Sequence, residues 1–245
     1  MAYGRPVHIL VVALTAVRVW QNGAVSVFQL FRGGLRSSSN AIRMPHELNA
    51  PEGCPPIRLR PLTAEDSSEW NEVRWRNDDW LSPWESGDPM HGPGMSYNAW
   101  IAWQRRSEQA GTGVIFAIEY QWRIVGQISI GAICYGAMRS GVIGYWVDES
   151  YIGRGFAPTA VAVLADWALA DAAGPRLHRL EIAVLPENER SLAVARKVGA
   201  RYEGTRSRYM YVRGQWRDHE SFALLAEDVG EGFARRLSSR HARSE

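Results

Sequence analysis

The chain has little cysteine, almost no lysine and no apolar run long enough for a membrane span. Cys54 and Cys134 are the only cysteines in 245 residues, so no disulfide framework can be drawn and a reducing cytoplasm is the expected compartment. Lys197 is the single lysine among 28 basic residues, a skew expected from genome composition rather than function. The net charge of +2 is too small to mark a nucleic-acid binder, and no direct nucleic-acid contact is expected. The apolar stretch Val7–Trp20 is broken by Arg18 and falls short of the roughly 20 residues a membrane helix needs. No membrane association is expected. The six histidines show no HExxH or other zinc spacing, so no metal is expected, and His178 and His219 are read as structural. There is no GxSxG elbow, and Cys134 falls in a predicted strand rather than a reactive setting.

What is present is a globular composition, 46% hydrophobic and 22% charged, which excludes a disordered chain. The texture changes along the chain. Residues 1–53 carry five arginines against Glu47 and Glu52, which leaves the remainder close to neutral. The run at Val7–Trp20 faintly resembles a signal peptide, and GGLRSSSN followed by PHELNAPEGCPP has linker composition. The expected organisation is a poorly ordered extension or misplaced start over 1–55, with Met44 an alternative start, then one domain over 56–230. A basic, frayed tail is expected over 231–245.

Within the body, Ile57–Arg60 alternates as a strand does, and Thr63 opens a helix with Glu65 and Asp66 in its first turn. A tryptophan-rich loop, WRNDDWLSPWESGDP, precedes a helix over Tyr97–Gln109. Strands are expected over Val114–Tyr120, Ile124–Ile133 and Val142–Asp148, the first two joined by a tight turn. A helix over Pro158–Asp171, a strand over Leu180–Val184 and a helix over Glu189–Val198 closed by Gly199 follow. A last hairpin pairs Arg206–Val212 with Trp216–Leu225 around Gly214. The order implies an α/β or α+β domain with a mixed sheet.

The segment Tyr145–Pro158 carries the most chemistry. A strand enters a loop with Gly153 and Gly155 and passes straight into a helix, whose first N–H groups lack intrahelical acceptors and suit a phosphate. A P-loop needs GK followed by Ser or Thr, which is absent, and a dinucleotide fold needs a third glycine where Pro158 stands. A plain strand–helix turn remains open for this motif taken alone. Arg154-Gly155-Phe156-Ala157 resembles the latter part of the coenzyme A loop of the GNAT acyltransferases, with Ile152 where that family usually has Gln or Arg.

The resemblance continues in order. His178–Val184 and Pro186–Ala200 resemble the GNAT strand and the helix that follows an Asn, here Asn188. Tyr209–His219 and Leu81–Glu85 are similar to segments of the RimJ-type ribosomal-protein alanine N-acetyltransferases. Together they span about Pro56 to Asp228. The resemblance implies a GNAT fold, a mixed and largely antiparallel sheet flanked by helices, with acetyl-CoA in the splay between two parallel strands. It implies a cosubstrate site at Trp146, Val147, Asp148, Ile152, Gly153, Arg154, Gly155, Phe156 and Ala157. Asn188 would hold the pantetheine arm, or serve simply as a helix N-cap.

The implied reaction is attack of an amine on the thioester in a ternary complex, with oxyanion donors in the backbone at Val147 and Asp148. Glu181 is the expected base, on the strand face opposite Leu180, Ile182 and Val184, although pairing with Arg179 or Arg201 would be a structural alternative. Glu149 is the second candidate. Ser191 is the expected acid, since Ala195 stands where related enzymes place a tyrosine, and Met210 replaces a glutamate of a RimL-type relative. Trp75, Trp80 and Trp84 are expected near the acceptor, as is Tyr211. At pH 7 an α-amine of pKa about 8 is unprotonated roughly 200-fold more often than a lysine, worth about 3 kcal/mol, which favours an α-amine acceptor. The expected partner is a peptide or protein N-terminus beginning with Ala or Ser, a ribosomal protein among the candidates, and the expected state is monomer or homodimer. A small-amine acetyltransferase (aminoglycoside or polyamine) and a non-catalytic acyl-CoA-binding module are the alternatives.

Overall fold

A computed structural model describes residues 40–90 and 94–241. A two-residue strand β1, Leu48–Asn49, pairs with β2, Arg58–Pro61. After it, Thr63 and Asp66 close a capping box over a single 3-10 turn, which leads into α1, Ser67–Arg76. The tryptophan-rich segment is not all loop, because α2, Asp78–Leu81, and a 3-10 turn at Ser82–Trp84 occupy its middle. Helix α3, Tyr97–Ala110, is capped by the Ser96 hydroxyl and ends at Gly111 with φ +74°.

Strand β3, Val114–Tyr120, and strand β4, Arg123–Cys134, make a hairpin whose turn holds Gln121 and Trp122 at positive φ. Strand β5, Ser140–Val147, follows, and α4, Phe156–Leu169, starts two residues earlier than expected because Gly155, at φ +77°, serves as its N-cap. Pro158 is therefore the third residue of the helix, where its missing N–H still costs nothing. Strand β6, Arg179–Val184, is followed by α5, Glu189–Lys197. The hairpin of β7, Arg201–Val212, and β8, Gln215–Leu225, precedes α6, Phe233–His241.

The eight strands form one sheet in the order β1-β2-β3-β4-β5-β6-β8-β7. Every neighbouring pair is antiparallel except β5 and β6, which are parallel. One face carries α4 over Ile143, Leu180, Ile182 and Phe222. The other is covered beside β3–β5 by α1 and α3, where Trp70, Tyr97, Trp100 and Trp146 pack ring against ring. Helix α4 is buried nearly all round, so it needs a second cover beyond the sheet.

That cover corrects the expected tail. Phe233, Ala234 and Leu237 of α6 are buried against α4, and Asp166 accepts the N–H groups of Phe233 and Ala234 at 2.7 and 3.0 Å. Arginines dominate the composition there and mask this short apolar stripe. The expected boundary at 55 also shifts. Ile42 is buried and donates its N–H to the Glu108 carbonyl at 2.9 Å, and Leu48–Asn49 adds a strand to the sheet edge. A side chain at Gly111 would meet the Asn40 carbonyl at 2.2 Å, so the chain before β1 lies tightly against the end of α3. The apolar run at Val7–Trp20 lies outside the described residues.

Candidate active site

Strands β5 and β6 stay paired only from Ser140 and Arg179 to Ile143 and Ile182. Beyond that register β5 pairs with β4 alone, through Val147, and β6 with β8 alone, through Val184. The parallel strands therefore part, and the backbone of each is left without a neighbour on the inner side. Strand N–H groups alternate in direction, and Asp148 donates to the Val125 carbonyl of β4 at 2.8 Å. The Val147 N–H consequently faces the splay, as does that of Tyr145. Of the two oxyanion donors expected from sequence, Val147 is oriented for the task, while the Asp148 N–H is already used.

The Asp148 side chain is structural as well. It is buried, accepts the Ser150 N–H at 3.0 Å and is paired with Arg76. Burial opposes its charge, but hydrogen bonds from Arg76, Ser150 and Asn77 hold its pKa below the usual carboxylate range. Asn77 also accepts the Glu149 N–H at 2.8 Å. The end of α1 thus clamps the end of β5, fixing the strand that presents Val147. Glu149 itself is exposed.

The loop that follows has Gly153 and Gly155 at φ +77°, a conformation that L side chains rarely adopt. Among the described residues, the N–H groups from Gly153 to Ala157 have no hydrogen-bond acceptor, and the first bond of the turn runs from Thr159 to Gly155. A Cβ at Gly153 would meet nothing within 4 Å, so the backbone is open to an approaching group. Five free donors at a helix start fit a pyrophosphate.

A cleft of about 840 Å³ runs from this loop into the splay. It is lined by Trp146, Val147, Ile152, Gly153, Gly155, Phe156 and Ala157 on one side, and by Asn188 and Ser191 on the other. Trp80 and Trp84 border its far end, and the Arg190 guanidinium lies 4.7 Å from the centre of the Trp80 ring, joining α2 to α5 across it. Trp80 also donates its indole N–H to the Val147 carbonyl at 3.3 Å. Asn188 caps α5, its Oδ1 accepting the Ser191 N–H at 3.1 Å, which leaves its amide NH₂ unused by the cap.

Other expected site residues fall outside this lining. Arg154 is exposed with its guanidinium over Tyr151, and Trp75 is 62% exposed on α1. Tyr211 packs edge-on against Trp216 in the last hairpin, while its carbonyl accepts the Gly87 N–H at 2.8 Å. Glu181 is buried, and its carboxylate is engaged on both oxygens. Arg206 binds it at 2.8 and 2.5 Å, and the Tyr209 hydroxyl donates to it at 2.9 Å. The partners named from sequence are used elsewhere, Arg179 by Glu203 and Arg201 by Asp228.

Sequence reasoning missed Tyr145. Its hydroxyl lies 2.6 Å from Ser191 Oγ inside the cleft, and burial pushes its pKa up to about 12 against the opposing effect of that hydrogen bond. Strand alternation alone could have placed it on the same face as Ile143, toward α5. Among the described residues no group of three or more His, Cys, Asp or Glu side chains could hold a metal ion.

This geometry is a fold with one parallel splay, a helix-start turn with free N–H groups at its end and an apolar cleft between. A family model for the acetyltransferase (GNAT) domain matches residues 57–201, and the chain belongs to the GNAT acetyltransferases. The fold is similar to that of Mycobacterium smegmatis RimJ, solved in complex with CoA-disulfide. The two share 35% identity and a TM-score of 0.68, covering 79% of this chain and 92% of that one. The chain is 24% identical over 180 residues to the [ribosomal protein uS5]-alanine N-acetyltransferase of Escherichia coli (strain K12), across 71% of this chain and 91% of that protein. It is 34% identical over 106 residues to the Bacillus subtilis (strain 168) protein described as "Probable N-acetyltransferase YjcK". That stretch spans 43% of this chain and 57% of the relative. The protein is an acetyltransferase of the RimJ/RimL type.

Proposed function

We propose that the protein transfers acetyl from acetyl-CoA to the α-amino group of a protein or peptide N-terminus, with Ala or Ser first, a ribosomal protein being the natural class of acceptor. The observation that carries the reading is the splay beside the five free N–H groups at Gly153–Ala157. The loop donors would hold the pyrophosphate, and the Asn188 amide the pantetheine arm. The Val147 N–H would stabilise the charge that gathers on the thioester oxygen during attack. Tyr145 and Ser191 line the cleft within hydrogen-bond distance of each other, which supports Ser191 as the proton donor to the departing sulfur, with Tyr145 holding it in place. The face opposite α4, bordered by Trp80 and Trp84, is left for the acceptor. The activity of the E. coli relative, a ribosomal-protein alanine N-acetyltransferase, supports a protein acceptor over a small amine.

The test is CoA release across a panel of Ala- and Ser-initiated peptides, lysine-containing peptides with blocked N-termini, and small polyamines and aminoglycosides. Release with the free N-terminal peptides is expected. Turnover confined to small amines would replace the acceptor class, and acetyl-CoA binding without turnover on any amine would leave a binding module.

A further inference from the structure

We propose that His219 is the group that takes the proton from the acceptor amine. The proposal rests on the acetyl-transfer reading and names a base within it. Register puts the residue beside the cleft, although not in its lining. Val184, the last residue of β6, pairs with Glu220, so His219 is the next position of β8, level with the start of the 185–188 loop whose Glu187 and Asn188 line the cleft. Its face is fixed by alternation. Glu181 pairs with Ala223 and Ala183 with Ser221, so Glu181, Ser221 and His219 share one side of the sheet. Val142 lies level with Glu181 across the parallel pair, which sets Val142, Gly144 and Trp146 on that same side, opposite α4. It is the side left for the acceptor.

The ring is buried and orientated. Nδ1 lies 3.0 Å from the Arg217 carbonyl, and a carbonyl only accepts, so Nδ1 carries the hydrogen. In the neutral ring the basic lone pair then belongs to Nε2, which has no hydrogen-bond partner among the described residues. Burial pushes the imidazole below its ordinary value, against the effects of the Arg217 carbonyl and of Glu187 and Asp218, and Arg217 adds to the lowering. The Tyr209 ring stands edge-on at 6.0 Å, and behind it lies the Glu181–Arg206 pair. Strand β7 is irregular between Arg206 and Met210, with Arg208 at φ +49° and its N–H on Asp218 at 2.7 Å. That break in alternation lets Arg206 and Tyr209, three residues apart, both reach Glu181. The carboxylate is thereby committed, and among the described residues the imidazole offers an unclaimed base on this face. Ser221, two residues along, adds a buried hydroxyl without a hydrogen-bond partner.

The chemistry balances. The acceptor ammonium gives one proton to Nε2, and the amine lone pair forms the N–C bond as the C–S bond breaks. The second proton passes from the nitrogen to solvent while Ser191 gives its proton to the departing sulfur and regains one from solvent, and the imidazolium returns its proton to solvent.

The experiment is a kcat/KM profile between pH 5 and 9 for wild type and His219→Gln, with an accepted peptide, beside acetyl-CoA affinity by calorimetry. The glutamine variant is expected to lose about 100- to 1,000-fold in kcat/KM and the inflection that the imidazole sets on the acid limb, leaving only that of the acceptor amine, with acetyl-CoA affinity unchanged. A loss below threefold, or an acid limb of the same shape as in wild type, overturns the proposal. If the variant does not fold, the His219 ring is titrated by NMR in wild type. An imidazole midpoint that coincides with the acid limb supports the assignment, and a mismatch overturns it. Active wild type with either negative result removes His219 alone. Wild type that releases no CoA with any amine removes the acetyl-transfer reading and the base with it.

Discussion

Tyr145 and Ser191 bring their hydroxyls within 2.6 Å of each other across the junction of β5 and α5. One residue sits on the splayed strand and the other in the first turn of the helix that Asn188 caps, so the contact ties the two walls of the cleft together. The bond is short for two neutral hydroxyls and lies in a buried place, where Tyr145 stays protonated at any pH the protein would meet. Ser191 is then free to give its proton toward the cleft while Tyr145 donates to its oxygen. Replacing Ser191 with Ala is expected to lower kcat by about 10²-fold with little change in acetyl-CoA affinity. Tyr145→Phe is expected to lower it less, about tenfold, because the serine hydroxyl remains. Single-turnover rates check both, and equal, small losses would assign the pair to structure alone.

Asn188 has two ends with separable duties. Its oxygen caps α5 by accepting the Ser191 N–H, and its amide is free for a ligand. Asn188→Asp keeps an acceptor at the helix N-terminus and suits the helix dipole, so thermal stability is expected to stay within about 0.5 kcal/mol. It loses the NH₂, and acetyl-CoA affinity is expected to fall about tenfold. Asn188→Ala removes both duties and is expected to cost about 1 kcal/mol in stability as well. Calorimetry and thermal unfolding on the two variants separate the roles. An Asp variant that binds acetyl-CoA as tightly as wild type would leave Asn188 as a cap only.

Much of this site was legible in the chain order, and the reasons divide by range. The glycine turn is local: Gly153, Gly155 and the helix start are neighbours in sequence, so their geometry follows from backbone physics. The strand run follows from period-2 alternation, a short-range signal, while the splay is implied only by the resemblance to the GNAT family. The partner of Glu181 was not, since Arg206 and Tyr209 reach it only through the irregularity in β7, which no pattern in residues 206–210 announces. Alternation gives the face of Tyr145 but not its contact with Ser191, which joins positions 46 apart. Residues 40–55 and α6 were misjudged because proline and arginine dominate their composition. The few apolar side chains that dock them, Ile42, Phe233 and Leu237, carry the packing instead.

Gly126 lies where β4 meets the last residue of β5, opposite Val147. A Cβ there would stand 2.3 Å from the Trp146 carbonyl and 3.1 Å from the Val147 Cα, both backbone atoms that cannot swing aside. Gly126→Ala is expected to force the two strands apart, costing about 2–3 kcal/mol by overpacking. The displaced strand end is the one that offers the Val147 N–H, so kcat is expected to fall further than the stability loss explains. Chemical denaturation and kcat measured on the folded fraction check this. An alanine variant with wild-type stability would show that the sheet can relax at this point.

Glu108, near the end of α3, carries a pH dependence of stability. It is 5% exposed and its Oε1 has no hydrogen-bond partner, although Oε2 meets Arg105 at 2.9 Å. Burial outweighs the arginine and lifts its pKa from 4.5 to about 7. Between those values the folded protein keeps a proton that the unfolded chain has released, so stability falls as pH rises from about 4.5 to about 7 and stays lower above it. Glu108→Gln is neutral throughout and removes that slope. At pH 8 the variant is expected to be more stable than wild type by about 1–3 kcal/mol, and near pH 4.5 the two should converge. Melting temperatures across pH 4.5 to 8.5 measure the difference directly. Parallel curves for the two proteins would mean that Glu108 ionises as freely in the fold as in the open chain.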